Sequence, residues 1–492
     1  MSRRQLLTLV ATILGSTVVF LDSTVVNVAL PAIRDGLHGG LAGQQWVVEA
    51  YMLTLVSLLL VGGSLGDQFG RRRMFVFGLV GFGATSALCA VSPTVEFLVG
   101  ARALQGIAGA LLVPGSLAIV AATFEGEARG KAVGTWTAWT GIATVIGPAG
   151  GGALIGLTSW RAIFWVNLPL IAATVGLTLH SVEESRDPDA FRGIDWAGIV
   201  LSAAGLGGPV FALIEQPTYG WGDPLVWVPM VAGVTCFAAF VIHEARARHP
   251  MMDLRLFRIR NFAVANLTTL SAYAGLIGGL FFVGLFLQQV AGYSPLEAGL
   301  ATTPISVILF ALSPRWGKLA SGTGPRLPMT LGPIVGGAGL LLMLRVGSGA
   351  DYVVDVLPAV LVFGLGLSAT VAPLTATVLD SVEERHVGIA SGINNGVSRV
   401  AGLLAIAVLG AVISARFDAV AGRDVSGGPL TANAAAASTS AFHLGVVIAG
   451  ILMILGGIAS GLWIENPRRT VSSYPSRGSA PAGECGHEAE PA

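Results

Sequence analysis

Long apolar runs separated by short polar segments make up most of the chain. A bilayer core about 30 Å thick needs roughly 20 apolar residues per helix. Fourteen such runs can be read along the sequence, at residues 6–31, 45–66, 74–92, 96–122, 132–157, 161–180, 194–214, 225–243, 261–290, 297–316, 327–346, 354–379, 388–414 and 442–464. Membrane strands would alternate apolar and polar positions in segments of roughly 10 residues, and these runs do not. The pattern predicts an all-α integral membrane protein with 14 transmembrane helices.

The basic residues agree with this number of spans. If the N-terminus is cytoplasmic, 21 of the 28 lysines and arginines fall in inner segments and 5 in outer segments, while Arg102 and Arg399 lie inside spans. This is the asymmetry of the positive-inside rule. The run 6–31 is too long for a signal-peptide core and is followed by no small-residue cleavage site. We therefore expect a retained first helix, a plasma (inner) membrane location and two cytoplasmic termini.

Composition excludes several classes of protein. Charged residues make up 11% of the chain and the net charge is zero, whereas a soluble domain averages about 25% charged residues. A soluble enzyme, a disordered protein and a nucleic-acid binder are therefore excluded. Three cysteines suggest neither a disulfide framework nor a zinc site. The segment 126–132 falls short of an ATP-binding loop by one residue and lacks its hydroxyl, so we expect no cofactor, no metal and no ATP.

Two short loops indicate an internal repeat. The loop Gly63–Arg73 reads GSLGDQFGRRR, and the loop Gly317–Arg326 matches it at four positions with an offset of 254 residues. Asp67 of the first loop is replaced by Ser321 in the second. Many transporters are built from repeated halves. We predict an N-terminal six-helix bundle at 1–181, two inserted helices with linkers at 182–260, a C-terminal six-helix bundle at 261–465 and a disordered tail at 466–492.

Charged groups inside spans are costly and mark functional sites. Asp22 lies sixteen residues beyond Leu6, or about 24 Å along the helix. Arg102 lies about 9 Å inside the outer end of the fourth span, so the two charges share a depth and can compensate each other. A proton on Asp22 would release Arg102, which makes the pair a candidate for proton coupling; a static ion pair is the alternative. Gln105 shares the helix face of Arg102.

Other polar residues in or beside spans are weaker candidates. Asn27 is expected to hydrogen-bond a neighbouring helix. Glu49 and Glu215 are secondary proton-site candidates, although solvated charges at helix ends would explain both. A polar cluster in the thirteenth span could serve transport or tether the helix, and acids at the preceding turn could balance its arginine. The cluster consists of Asn394, Asn395 and Arg399, and the acids are Asp380, Glu383 and Glu384.

Two further segments are candidates for conformational control. In the loop after the second span, Asp67 could pair with an arginine of a neighbouring loop and so act as a latch on the cytoplasmic side; a plain basic turn is the alternative. The other latch residues are Gly63, Gly70, Arg71 and Arg72. The fifth span is rich in glycine, which allows close helix packing, and contains a Gly-Pro pair that allows a bend. Its candidate residues are Gly141, Gly147, Pro148, Gly151 and Gly152.

Taken together, these segments resemble motifs of the major facilitator superfamily, specifically of its 14-spanner drug:proton antiporters. The similar segments are LDSTVVNVALP (21–31), GSLGDQFGRRR (63–73), RALQGIAGALLVPGSLA (102–118), GPAGGG (147–152), WRAIFWVNLP (160–169), QQVAGYSPLEAGL (288–300) and GIASGINNGVSRVAG (388–402). The resemblance implies two six-helix bundles plus two inserted helices, around a central cavity that opens alternately to each side. It also implies roles for Arg102 in proton transfer, Asp67 in gating and Gly147–Pro148 in the bend. Asp22 matches the acid of the family's first span, whereas Ser321 makes a symmetric second latch doubtful.

The resemblance implies a proton-coupled efflux transporter that exports amphipathic drugs or antibiotics across the plasma membrane. Its partners would be protons, a small-molecule substrate and the lipid bilayer, with no nucleic acid, and we expect a monomer driven by the proton-motive force. Fold-level analogy does not identify a substrate. Two alternatives therefore remain open: a proton-coupled transporter of one metabolite or amino acid, and a membrane sensor or scaffold that transports nothing.

Overall fold

A computed structural model describes residues 1–186, 195–247, 252–383, 387–421 and 432–466. These ranges contain helices joined by short connections and no β-strand. Thirteen helices in them are long and apolar enough to cross a membrane, and a further one is bent by 51° between Leu59 and Val61. The predicted all-α fold with fourteen spans is confirmed when the bent helix is counted as one span.

The first nine helices cover the predicted first bundle and the inserted pair. They are α1 (Arg3–Leu37), α2 (Leu41–Phe69), α3 (Arg71–Ala90), α4 (Val95–Thr123), α5 (Gly126–Leu157), α6 (Ala162–Trp165), α7 (Asn167–Ser181), α8 (Trp196–Tyr219) and α9 (Pro224–Arg246). Helix α1 begins with a capping box between Ser2 and Gln5. The short α6 and α7 together form the sixth span.

The remaining helices form the last six spans. They are α10 (Arg260–Tyr273), a π-helical turn (Ala274–Gly278), α11 (Gly279–Gln289), α12 (Pro295–Thr323), α13 (Arg326–Leu342), α14 (Leu357–Asp380) with a π-helical turn before it (Tyr352–Val356), α15 (Val387–Ala421) and α16 (Ala432–Trp463). Helix α12 begins at a capping box between Ser294 and Glu297. Helices α10 and α11 run through the π-turn as the ninth span.

The predicted spans 388–414 and 442–464 leave a long loop at 415–441, and this expectation is wrong at both ends. Helix α15 continues to Ala421, and α16 already begins at Ala432. The segment 432–441 is rich in alanine, the strongest helix former, which explains why a stretch with little hydrophobic side-chain bulk is helical. The predicted disordered tail lies, apart from Asn466, outside the described residues.

The helices pack in two groups with α8 and α9 beside them. In the first group α2 packs along α4, and α1 packs against α5 and α7; in the second, α13 packs against α14 and α16. A Cβ atom on Gly62 would lie 2.1 Å from the carbonyl oxygen of Ala110, which shows how closely α2 approaches α4. Helix α8 packs along α9 and also contacts α2 and α15. The inserted pair therefore packs, through α8, against the junction between the two groups.

The cores differ between the two faces of the membrane. On the face opposite the N-terminus, one apolar cluster joins both groups and includes residues 25–33 of α1 and 281–287 of α11. On the face that carries the N-terminus, each group has a core of its own. One includes residues 11–19 of α1, and the other includes Leu374 and Val378 of α14 and Ala390 and Ile393 of α15. The two groups are thus closed against each other on the face opposite the N-terminus.

Candidate functional site

Asp22 of α1 and Arg102 of α4 form an ion pair in the middle of the first helix group. The Arg102 Nη1 atom donates to the Asp22 Oδ2 atom at 2.5 Å, and 1% of each side chain is exposed. The two charges predicted to share a depth therefore meet. A fully buried pair of this kind is stable only while both partners remain, because removal of one charge leaves the other unpaired in a low-dielectric environment.

Two amides complete the coordination of this pair. The Gln105 Nε2 atom donates to Asp22 Oδ1 at 3.2 Å, while its Oε1 atom accepts from Arg102 Nη1 at 2.7 Å. The Asn167 Nδ2 atom donates to the same Asp22 Oδ1 atom at 3.2 Å. Sequence reasoning does not identify Asn167 as a site residue. The one feature that could have indicated it is the presence of an amide within the apolar stretch WRAIFWVNLP.

The backbone and an aromatic ring fix the guanidinium of Arg102 from the remaining sides. Its Nε atom donates to the carbonyl oxygen of Val47 in α2 at 3.0 Å. Its Cζ atom lies 4.2 Å from the ring centroid of Tyr51, in the geometry of a cation–π contact. Helices α1, α2, α4 and α7 therefore converge on one ionic cluster, and a change of charge at Asp22 would act on all of them.

The two secondary acids lie in different environments. Glu49 is 0% exposed, and neither carboxylate oxygen has a hydrogen-bond partner within the described residues. The expectation of a solvated helix-end charge is wrong for Glu49. The residue lies on the α2 face between Trp46 and Leu53, and this face packs against α8 and α15 in an apolar cluster. Glu215 of α8 is half-buried and accepts a hydrogen bond from Trp46 Nε1 at 2.8 Å.

Asn27 bonds its own helix instead of a neighbouring one. Its Nδ2 atom donates to the carbonyl oxygen of Ser23 at 3.3 Å, and its Oδ1 atom is buried without a partner among the described residues. The predicted interhelical bond is wrong because the carbonyl oxygen of Ser23 lies one turn back on the same helix, where it can accept a second hydrogen bond from the amide.

The basic turn after α2 holds the segment that follows α7. Asp67 binds Arg71 of its own turn, with an Arg71 Nε to Asp67 Oδ1 distance of 2.8 Å, and not an arginine of a neighbouring loop as predicted. The neighbouring acid is Glu184, which accepts from the Arg72 backbone N–H at 3.1 Å. Gly70 has a φ of 114°, which favours glycine, and a Cβ atom there would lie 2.6 Å from Glu184 Oε1. Sequence reasoning missed Glu184 because its contact spans two loops.

The remaining turn residues have simpler roles. The Arg72 Nη1 atom donates to the carbonyl oxygen of Val182 at 3.2 Å, which fastens the turn to the same segment. A Cβ atom on Gly63 would meet the Pro114 Cβ atom at 3.6 Å, an ordinary contact. The close approach of α2 to α4 depends instead on Gly62.

The glycines of α5 bring three helices into contact. A Cβ atom on Gly147 would lie 2.2 Å from Thr24 Oγ1, and one on Gly151 would lie 2.5 Å from Val25 Cγ1, both in α1. A Cβ atom on Gly152 would lie 2.4 Å from the carbonyl oxygen of Pro295 in α12. The same two helices also meet at a glycine of α12. A Cβ atom on Gly299 would lie 2.3 Å from the carbonyl oxygen of Pro148 in α5.

Not all of the predicted glycine motif takes part in this packing. A Cβ atom on Gly141 would meet no atom within 4 Å, so tight packing is not its role. Helix α5 continues through Pro148 as one element from Gly126 to Leu157. The glycines from 147 to 152 therefore form the seam that closes α5 on α1 and α12.

The polar residues of α15 have different surroundings: one bonds a neighbouring helix, and the arginine has no partner among the described residues. Asn394 Nδ2 lies 2.7 Å from Thr269 Oγ1 and 3.3 Å from Asn266 Oδ1, which ties α15 to α10. Asn395 is exposed, and its Nδ2 atom donates to Ser391 of its own helix. Within the described residues Arg399 has neither an ion pair nor a hydrogen bond. The predicted ion pair of Arg399 with Asp380 or Glu383 is therefore not formed, and Glu384 lies outside the described residues.

An apolar cavity of about 490 Å³ lies beside this helix. Its walls come from α2, the inserted helices α8 and α9, and α10 and α15. Its few polar groups include Ser57, whose Oγ atom is buried without a partner in the described part of the chain, and Asn266. A space of this size and character suits the apolar part of a drug-sized molecule.

Comparisons with known proteins agree with this architecture. The model of the Major Facilitator Superfamily matches residues 12–406. The chain is similar to the tetracenomycin C resistance and export protein of Streptomyces glaucescens, with 35% identity over 409 residues that cover 83% of this chain and 76% of that protein. It is also similar to the multidrug resistance protein Stp of Mycobacterium tuberculosis (strain CDC 1551 / Oshkosh), with 37% identity over 416 residues, 84% of this chain and 77% of that one.

A solved structure shares the fold at low sequence identity. It is a bacterial homolog of the human lysosomal transporter Spinster, in an inward-facing and unoccupied conformation. The superposition has a TM-score of 0.68 with 16% identity, and covers 94% of this chain and 97% of that chain. The two chains therefore share the same overall helical fold.

Proposed function

The chain belongs to the major facilitator superfamily, and we propose that it is a proton-coupled exporter of amphipathic drugs or antibiotics. Two similar proteins are named for the export of, or resistance to, such compounds. The apolar cavity of about 490 Å³ offers space for ligands of this kind. The rival function, transport of one metabolite or amino acid, would call for a site lined with more polar groups.

The ion pair between Asp22 and Arg102 is the observation that carries this proposal. A proton that reaches Asp22 neutralises the carboxylate and removes the charge that compensates Arg102. The guanidinium must then find other acceptors, because an unpaired charge in a buried site is costly. Since four helices meet at this cluster, protonation would bias the packing of the first helix group. Glu49 remains the second candidate for a proton site, because it is an acid buried in the membrane.

The proposed cycle moves the two helix groups against each other. Residues 1–181 and 261–465 would act as the moving bundles, and 182–260 would supply the inserted helices. The seam of Gly147, Gly151 and Gly152 would close the face opposite the N-terminus, while the Asp67 turn with Glu184 would control the other face. With both termini in the cytoplasm of a bacterial cell, the present packing is the inward-facing state of the cycle. The energy source would be the proton-motive force without a cofactor, and the working unit a monomer.

Efflux of a fluorescent cation from cells tests this function. Cells that produce the protein are loaded with ethidium, and its release is followed with and without an uncoupler. Cells with the empty vector serve as the control. We expect faster efflux than in the control, and we expect the uncoupler to abolish the difference. Efflux that continues at the same rate after the uncoupler would contradict proton coupling, and no efflux of any of a panel of amphipaths would contradict drug export.

A further inference from the structure

The two arginines inside spans differ in how their charges are compensated. Arg102 is 1% exposed and has carboxylate, amide and backbone partners. Arg399 in α15 has no carboxylate within 4.0 Å and no hydrogen-bond acceptor in the part of the chain that the structure describes, and it is half-buried. A charged side chain at membrane depth without a protein partner normally faces a water-filled path or a substrate.

The position of Arg399 on its helix directs it between the two helix groups. Gly402 and Gly410 follow it at helical spacing on the same face. A Cβ atom on Gly402 would meet Ile277 of the π-turn at 2.6 Å, and one on Gly410 would meet Gln45 of α2 at 1.9 Å. This face of α15 therefore lies along both the second and the first helix groups.

Two of the helices that pack against α15 each carry a tyrosine. They are α2 with Tyr51 and α10 with Tyr273. The Tyr51 hydroxyl is buried and has no hydrogen-bond partner among the described residues. Among these residues no carboxylate lies in ion-pair range of Arg399.

The wall of the apolar cavity includes residues that flank this cation on α15. Its lining includes Val400, which follows Arg399 directly, and Leu270, which lies one turn before Tyr273. An apolar space that adjoins an uncompensated guanidinium matches a molecule with an apolar body and a negatively charged group. A guanidinium also binds planar carboxylates through two parallel hydrogen bonds.

We propose that Arg399 binds the anionic group of an amphipathic substrate whose apolar body occupies the adjoining cavity. The anionic group is a carboxylate, a sulfonate or an ionised phenol. This inference rests on the proposed export function and narrows its substrate class. The inserted helices α8 and α9 then have a role, because they form one wall of the cavity that holds the apolar body.

The charge of such a substrate has a consequence for the driving force. Export of an anion and import of a proton both move net positive charge inward. The membrane potential would therefore drive the exchange in addition to the pH gradient. Exchange of one monovalent cation for one proton moves no net charge, so the membrane potential would not drive it.

Transport of two permanently charged dyes tests the proposal. The purified full-length protein is reconstituted in proteoliposomes, and proton-driven transport of 8-anilinonaphthalene-1-sulfonate, an anion, is compared with that of ethidium, a cation. We expect Arg399→Gln to lower the ratio of kcat/KM for the anion over the cation by about tenfold or more, as befits the loss of a hydrogen-bonded charge. Arg399→Lys keeps the charge and should keep part of the preference.

The control is Arg416→Gln, on the same helix. Arg416 is exposed and donates to Ser440 Oγ at 3.1 Å, so its removal should leave the dye ratio unchanged. If Arg399→Gln does not fold, both dyes lose transport equally and Arg399→Lys decides instead. The proposal expects a partial loss of the anion preference, because the two parallel hydrogen bonds of the guanidinium are lost, and a ratio unchanged from wild type would overturn it. An unchanged ratio in folded Arg399→Gln would do the same. If wild-type protein moved neither dye under a proton gradient, the export function itself would fail, and the anion site with it.

Discussion

The carboxylate of Asp22 and the guanidinium of Arg102 lie 2.5 Å apart with 1% of each side chain exposed. The pair joins α1 to α4 at a depth where water cannot replace either partner. Gln105 and Asn167 bind the same carboxylate oxygen, so the carboxylate is held from two other helices, α4 and α7. The ionic cluster therefore stabilises the packing of these helices in addition to its proposed role in proton coupling, and experiments can separate the two roles.

The contribution of the ion pair to stability predicts strong energetic coupling between Asp22 and Arg102. Asp22→Asn or Arg102→Leu alone leaves a charge or a polar group without its partner, which should lower stability by about 3–5 kcal/mol. The double variant Asp22→Asn/Arg102→Leu should lose much less than the sum of the two. Thermal unfolding of the purified proteins in detergent measures this double-mutant cycle. Additive effects would contradict an energetically coupled pair.

The glycine seam of α5 predicts a position-dependent effect of alanine. Gly152→Ala should impair transport and lower stability by about 1–3 kcal/mol, because the new methyl group would overlap the Pro295 carbonyl oxygen. Gly141→Ala is the matched control on the same helix, since no atom lies within 4 Å of its added Cβ. Dye efflux and thermal stability should both distinguish the two variants. Equal behaviour of the two variants would show that the seam does not control closure.

The basic turn predicts that Glu184 matters more than Asp67. Asp67 pairs with Arg71 of the same turn and is about a third exposed, so Asp67→Asn should cost about 0.2–1 kcal/mol. Glu184 joins the turn to the segment after α7, and Glu184→Gln should cost more because a charge-assisted bond to the Arg72 backbone N–H is weakened. Efflux rates and unfolding midpoints of both variants test this order, and the reverse order would favour a latch at Asp67.

The left-handed backbone at Gly70 adds a prediction at the same turn. Gly70→Ala places a side chain at a φ of 114° and against Glu184, and the backbone strain alone should cost about 1–2 kcal/mol. Gly130→Ala in α5 is the control, because it has open space around it. The unfolding midpoint of Gly70→Ala should be clearly the lower of the two; similar midpoints would show that the turn relaxes without strain.

The burial of Glu49 predicts that an uncharged side chain is accepted there. Glu49→Gln should keep or raise the unfolding midpoint, since an amide carries no charge to desolvate and no described residue pairs with the carboxylate. Glu215→Gln should change little, because a glutamine oxygen can still accept from Trp46 Nε1. Parallel thermal unfolding compares the two variants. A large loss of stability in Glu49→Gln alone would mean that a charge at Glu49 has a partner.

Sequence alone predicts the parts of this molecule that depend on periodicity and length. The spans follow from the thickness of the bilayer, and the meeting of Asp22 with Arg102 follows from the constant rise of a helix. The place of Gln105 follows in the same way, since residues three apart share a helix face.

What sequence does not predict depends on contacts between distant segments. Asn167 reaches Asp22 across 145 residues, and no spacing rule connects them. Glu49 reads as a helix-end charge because the cover supplied by α8 and α15 is a tertiary feature. Sequence also does not show that Arg399 lacks an ion pair. The acids nearest to it in sequence precede the start of α15 at Val387, and Arg399 lies about three helical turns further on.

Transport by Asp22→Asn with and without a pH gradient shows whether this residue couples protons to export. Asparagine resembles a permanently protonated aspartate in shape and charge. In proteoliposomes, we expect this variant to exchange ethidium down its gradient but not to accumulate it against its gradient when a pH gradient is imposed. Uphill accumulation at the wild-type rate would contradict proton coupling through Asp22 and would make Glu49 the residue to test next.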